Sequence, residues 1–141
     1  MIRAVLDTNV LLAALRSRQG ASFEIISRYR QGEFSLLVSN TVLSEYDEVL
    51  KREGPSFGIT TAIVNRYLDA LCAGADAFPT SSFWKPSLPD ADDEAFAQLA
   101  LEAKVGYLVT FNQRHFPADR LPAVKVVSPK EFLHILQSIV P

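Results

Sequence analysis

The sequence predicts a three-layer α/β/α sandwich with a mostly parallel central sheet. Short runs rich in Val, Ile and Leu alternate with longer stretches whose apolar residues recur at helical spacing. The first run, Ile2 to Leu6, is apolar without alternation, the pattern of a strand buried on both faces. The length, 141 residues, suits one domain with a sizeable core, so residues 1–141 are read as a single domain.

Ile2 to Leu6 is too brief for a helix, and Asp7 ends it. Thr8 or Asn9 then caps a helix carrying Val10, Leu11, Ala14 and Leu15. A second helix runs from about Ser22 to Arg30, with Phe23, Ile26 and Tyr29 on one side, and Gln31-Gly32 closes it. Leu36 to Val38 reads as a strand. Ser39, Asn40 or Thr41 caps a third helix with Val42, Leu43, Tyr46, Val49 and Leu50 on one face. Gly54-Pro55 breaks it, and Thr60 or Thr61 starts a fourth helix carrying Ile63, Val64, Tyr67, Leu68 and Leu71. Gly74 to Pro89, with Pro79, Pro86 and several serines, reads as a short strand and then a loop. Asp90 to Lys104 is the clearest amphipathic helix, its stripe being Phe96, Leu99, Ala100 and Ala103. Tyr107 to Val109 and Val124 to Val127 are strands, and Ser128-Pro129 opens a last helix whose stripe is Phe132, Leu133, Leu136 and Ile139.

Composition excludes several classes. Hydrophobic residues at 48% and charged residues at 21% are those of an ordinary globular protein, not of a disordered tail, a collagen-like repeat or a disulfide-stapled miniature. The single cysteine, Cys72, points to a reducing compartment. Arg3, Asp7 and Asn9 interrupt the apolar N-terminus well short of a spanning length, and an aspartate inside the run does not fit a signal peptide. A cytoplasmic location without membrane contact is therefore expected. The net charge of -2 argues against gripping nucleic acid by bulk positive charge.

The distribution of the acids is more informative than their number. Asp7 ends the first strand, where open parallel sheets bind ligands, although an acid there also serves as a turn or cap. Glu45 shares the edge of the third helix's buried stripe with Val42 and Val49. It is read in the first turn, where it would complement the helix dipole or need a partner for a half-buried charge. Asp90, Asp92 and Asp93, with Glu94 beyond, crowd the start of the fifth helix. One or two acids suit a helix start, but more repel one another, and a cation would relieve them. Carboxylates converging at one sheet edge, without cysteine, are hard-oxygen ligands suited to Mg²⁺ or Mn²⁺. Such a site polarises a phosphoryl oxygen and generates a hydroxide nucleophile.

These residues resemble those of a PIN domain, the fold of small metal-dependent ribonucleases that includes VapC-type toxins. The resemblance begins at Val5-Leu6-Asp7-Thr8-Asn9-Val10-Leu11, continues at Ser39 to Glu45 and at Asp90-Ala91-Asp92-Asp93-Glu94-Ala95-Phe96, and ends at Leu108-Val109-Thr110-Phe111-Asn112 with Phe116. It covers nearly the whole chain, in the family's order. It implies a metal-dependent endoribonuclease using Mg²⁺ or Mn²⁺, with Asp7, Glu45 and Asp93 holding the metal, Asp90 and Asp92 supplementing them, and Asn112 orienting water or metal. The stretch Asn112-Gln113-Arg114-His115 departs from the family, which often supplies a fourth acid there, so the number of ions is open. Thr8 and Asn9, at a helix N-terminus, and Arg16 and Arg114 at the rim are candidate phosphate contacts, with Arg18, Lys51 and Arg52 as further ones. His115 is read as a turn histidine beside Phe116 rather than a general base.

The resemblance extends to an RNA substrate, an antitoxin protein partner and a homodimer. Trp84 and Phe83 could stack bases, pack on the domain or form a partner face, and the sequence leaves these open. Two rival functions remain. An aspartyl-phosphate phosphatase lacks its second acid, because the sequence reads Asp7-Thr8-Asn9-Val10. A degenerate PIN domain that binds RNA or a protein without cleavage is kept in view by Asn112. Setting aside the five clustered acids leaves eleven acids against fourteen Lys and Arg, a balance of +3 for the rest of the chain. The overall charge therefore averages over a metal site.

Overall fold

The computed structural model describes residues 1–139, and it has the predicted architecture. Five parallel strands form one sheet flanked by helices: β1 (Arg3–Leu6), β2 (Ser35–Val38), β3 (Asp76–Ala77), β4 (Tyr107–Val109) and β5 (Lys125–Val127). The helices are α1 (Thr8–Arg16), α2 (Ala21–Arg30), α3 (Asn40–Glu53), α4 (Thr61–Ala73), α5 (Glu94–Glu102) and α6 (Pro129–Ile139). Ala4, Val5 and Leu6 are fully buried, as a strand covered on both faces requires. No helix among the described residues is long and apolar enough to cross a membrane.

The strand order β3-β2-β1-β4-β5 decides where a site can form. From β1 the chain winds outward through β2 and β3, then returns to pair β4 on the other side of β1. The order reverses between β1 and β4, and the crevice beyond the carboxyl ends of strands at such a switch point is where open α/β sheets bind ligands. Asp7 and Thr110 are the first residues beyond those two strands. Their backbones continue the ladder, with Asp7 N–H donating to Val109 O at 2.9 Å and Thr110 N–H to Val127 O at 2.9 Å.

Aromatic contacts hold the helices in register. Tyr29, Phe34, Phe132 and Tyr107 form a chain of rings from α2 to α6 and β4. On α3, buried Tyr46 donates its hydroxyl to Leu6 O at the end of β1 and packs 5.9 Å from the Phe96 ring of α5. That pair sets α3 against α5 beside the end of β1, because Glu45 precedes Tyr46 and Asp93 lies one turn before Phe96.

Local chemistry corrects several expected boundaries. Asp7, rather than Thr8 or Asn9, caps α1, and Ser39 caps α3 through Val42 N–H at 3.2 Å. With α3 beginning at Asn40, Glu45 falls in its second turn, not its first, beyond the strongest part of the helix dipole. The fifth helix does not begin at Asp90. Asp90 caps a 3₁₀ turn over Ala91–Asp93, because its carboxylate accepts from Asp92 N–H at 2.9 Å, and α5 follows from Glu94. Gly32, with φ of 79°, adopts the left-handed conformation that ends α2.

Candidate active site

Asp7 is 7% exposed and both of its oxygens are engaged. Oδ1 accepts from Thr8 N–H at 2.8 Å, and Oδ2 accepts from the Thr110 hydroxyl at 2.7 Å. Burial raises its pKa, while these two bonds and the nearby His115 oppose the rise. Thr110 is fully buried and also accepts from Asn112 N–H at 2.9 Å, so one hydroxyl ties the end of β1 to the turn after β4. The sequence places Thr110 only within a turn pattern. Its position immediately after β4, at the same sheet edge as Asp7, is the signal for this role.

Asp93 ends the 3₁₀ turn before α5 and is 8% exposed. Burial, then the charge of Asp7, pushes its carboxyl up to about 6, against the pull of His115. Its Oδ2 is buried and takes no hydrogen bond, although His115 Nδ1 stands 3.1 Å away at ion-pair distance. The donor atoms of Asp90, Asp93 and His115 lie within 4.8 Å of one another. Buried Asp93 with its orphaned oxygen, exposed Asp90 and His115 make a donor set that fits a divalent cation, whereas Asp7 and Glu45 lie outside this group.

The remaining predicted residues divide. Glu45 is half-buried on α3, and burial followed by the charges of Asp92 and Glu48 raises its pKa, which places it within the field of the cluster. Asp92 is exposed on the same flank. Asn112 and Arg114 are exposed at the rim. A cleft of about 300 Å³ is lined by Pro89, Asp90, Ala91, Asp93, Arg114 and His115, and a second of about 410 Å³ adjoins it along Phe111 to His115.

Other candidates are engaged elsewhere. Asn9 is tied to the β4 turn: its amide donates to Thr110 Oγ1 at 3.4 Å and its carbonyl oxygen accepts from Phe111 N–H at 3.3 Å. The Thr8 amide is taken by Asp7, so the phosphate role expected of Thr8 and Asn9 loses these groups. Arg16 lies at the far end of α1, about 12 Å of helix from Thr8, with its guanidinium 3.7 Å from the Phe57 ring. It is not part of the cluster. Lys51 pairs with Asp47 at 2.7 Å, and Arg52 with Glu48 at 3.7 Å. Glu94 does not face the cluster either: it accepts from the Trp84 indole at 2.8 Å and from the Ser87 and Leu88 amides, pinning the loop before α5. This leaves Phe83, 90% exposed, as the free aromatic of that loop.

The sequence model of the PIN domain matches residues 3–114, which span β1, the clustered acids and Arg114. This chain belongs to the PIN domain family. PIN domains are generally metal-dependent nucleases, and an acidic cluster is present in this chain. The fold of this PIN domain is similar to that of VapBC2 from Rickettsia felis, solved bound to a DNA fragment from their promoter, with a TM-score of 0.63, 16% identity, and coverage of 90% of this chain and 98% of the other. VapBC-1 from nontypeable Haemophilus influenzae matches at a TM-score of 0.61 and 16% identity over 92% and 99% of the two chains. PAE2754 from Pyrobaculum aerophilum matches at 0.60 and 14% over 97% and 90%. No curated protein matches this PIN domain in sequence.

Proposed function

We propose that this PIN domain is an endoribonuclease that hydrolyses RNA phosphodiester bonds with Mg²⁺ or Mn²⁺. The observation that carries the reading is the cluster at Asp93, buried within the electrostatic reach of Asp7 and grouped with Asp90 and His115, its Oδ2 lacking a hydrogen-bond donor. Asp93 and Asp90 would hold the ion together with Asp7 and Glu45, and Asp92 would add negative field. The bound cation supplies Lewis-acid polarisation of the scissile phosphoryl oxygen and lowers the pKa of water. Thr110 and Thr8 keep the Asp7 carboxylate oriented and favour its ionised form. The exposed amide of Asn112 orients water or a nucleotide, and Arg114 receives a backbone phosphate along the adjoining clefts.

The VapBC proteins that share this fold support a further step, in which the chain is the toxin of a toxin–antitoxin pair in the cytoplasm. An antitoxin protein and a second copy of the chain are its expected protein partners. Asn112, neutral and exposed at the rim, favours the alternative of a PIN domain that binds RNA or a protein without cutting.

The test is cleavage of a single-stranded RNA with Mg²⁺ or Mn²⁺, with and without chelator, followed by analysis of the product ends. Water attack breaks one phosphorus–oxygen ester bond and does not involve the 2′-hydroxyl. A 2′-deoxy substitution at the cut position should therefore be tolerated and chelator should stop the reaction. Chelator-resistant cleavage, or products ending in 2′,3′-cyclic phosphate, would overturn the reading.

A further inference from the structure

We propose that His115 is a nitrogen ligand of the divalent cation and that it makes the site select a transition-metal ion, such as Mn²⁺ or Co²⁺, over Mg²⁺. This rests on the reading of the acidic cluster as a metal site.

Geometry comes first. His115 Nδ1 lies 3.1 Å from Asp93 Oδ2, and Asp90 brings a carboxylate oxygen into the same group, all within 4.8 Å of one another. Two donors held about 2.1–2.2 Å from one ion, at a right angle, stand about 3 Å apart. Nδ1 and Oδ2 therefore already have the separation of neighbouring ligands.

The second observation is the burial of Asp93 Oδ2. Asp93 is 8% exposed, yet its buried Oδ2 takes no hydrogen bond, an expensive arrangement for a carboxylate unless something else satisfies it. The backbone holds the ring in place, since His115 ends a 3₁₀ turn in which its N–H donates to Asn112 O at 2.9 Å. The side chain of His115 is 48% exposed, and with Arg114 it lines the cleft of about 300 Å³, so an ion there remains open to a phosphate.

Ligand chemistry then sets the preference. Mg²⁺ takes shells of oxygen and gives up water reluctantly, whereas imidazole suits the later divalent ions. An imidazole among the carboxylates discriminates against Mg²⁺ in a way an all-carboxylate set does not.

The experiment is Mn²⁺ binding to the full chain, read by pulsed electron paramagnetic resonance for nitrogen coupling and by thermal shift with Mn²⁺ and Mg²⁺ separately. Wild type should show ¹⁴N modulation on bound Mn²⁺. His115→Ala should abolish the modulation and weaken Mn²⁺ by at least about 10- to 100-fold, the loss seen even for partners one shell further out, while leaving Mg²⁺ binding unchanged. His115→Asp should recover binding with the preference turned toward Mg²⁺. Bound Mn²⁺ without nitrogen coupling, or an unchanged Mn²⁺/Mg²⁺ ratio in His115→Ala, overturns the inference and leaves the nuclease reading standing. Failure of wild type to bind any divalent cation overturns both.

Discussion

Replacing Asp93 with Asn should stabilise the metal-free protein. Asp93 is buried beside the charge of Asp7, and its pKa is pushed up to about 6 from 3.8. Because the folded-state value lies above the unfolded one, the folded protein holds this proton more tightly, and stability falls as pH rises from about 4 through 6. A displacement of that size corresponds to about 3 kcal/mol, or about 2 kcal/mol once water at the cleft side is allowed for. Asn keeps the shape without the charge, and Asp7 then ionises more easily. In EDTA at pH 7, Asp93→Asn should therefore melt up to about 10 °C above wild type, and the two should converge near pH 4. Saturating Mn²⁺ should reverse the order, raising wild type by about 2.7 kcal/mol at 100 times the dissociation constant and the variant far less. Calorimetric melts in EDTA and Mn²⁺ across pH 4–8 measure all of this. A variant less stable than wild type at pH 7 in EDTA, or a difference that persists at pH 4, would refute the idea of an uncompensated buried charge.

Thr110→Val keeps the shape of a fully buried side chain but removes the hydroxyl that bonds Asp7 and Asn112. It should cost about 1–3 kcal/mol in denaturant unfolding and raise the pKa of Asp7 further. Glu94→Ala should free the loop before α5, and Trp84, the single tryptophan, should report this as a red-shifted fluorescence maximum with RNA cleavage largely retained. Arg114→Ala should weaken RNA binding without changing sequence preference and reduce the slope of log K against log salt by about 1, whereas an unchanged slope would remove Arg114 from the phosphate path.

Much of this was legible in the sequence because burial and periodicity are local. Ala4, Val5 and Leu6 read as a strand covered on both faces, and the stripe on α5 ran true from Phe96 to Ala100. The acids at Asp7 and Asp93 stood out because charge is costly at positions whose neighbours are core. What depended on side-chain partners was not legible. Glu94 looked like one more acid at a helix start, and only the donors at Trp84, Ser87 and Leu88 give it a different task. Asn9 had the right address for phosphate, but the β4 turn claims both ends of its amide. Arg16 is a rim candidate in the sequence, whereas α1 carries it away from the sheet edge. His115 was discounted because nothing in the chain shows that the turn after β4 brings Nδ1 to Asp93.

Asp7 and Asp93 are proposed to act together in holding the ion that drives RNA hydrolysis. The most direct measurement is the initial rate of RNA cleavage in Mn²⁺ for wild type and Asp7→Asn, each first shown to be folded. Loss of a metal ligand that supports several kcal/mol of transition-state stabilisation should lower the rate at least about a hundredfold. Equal rates in the two proteins would mean that Asp7 holds no catalytic ion.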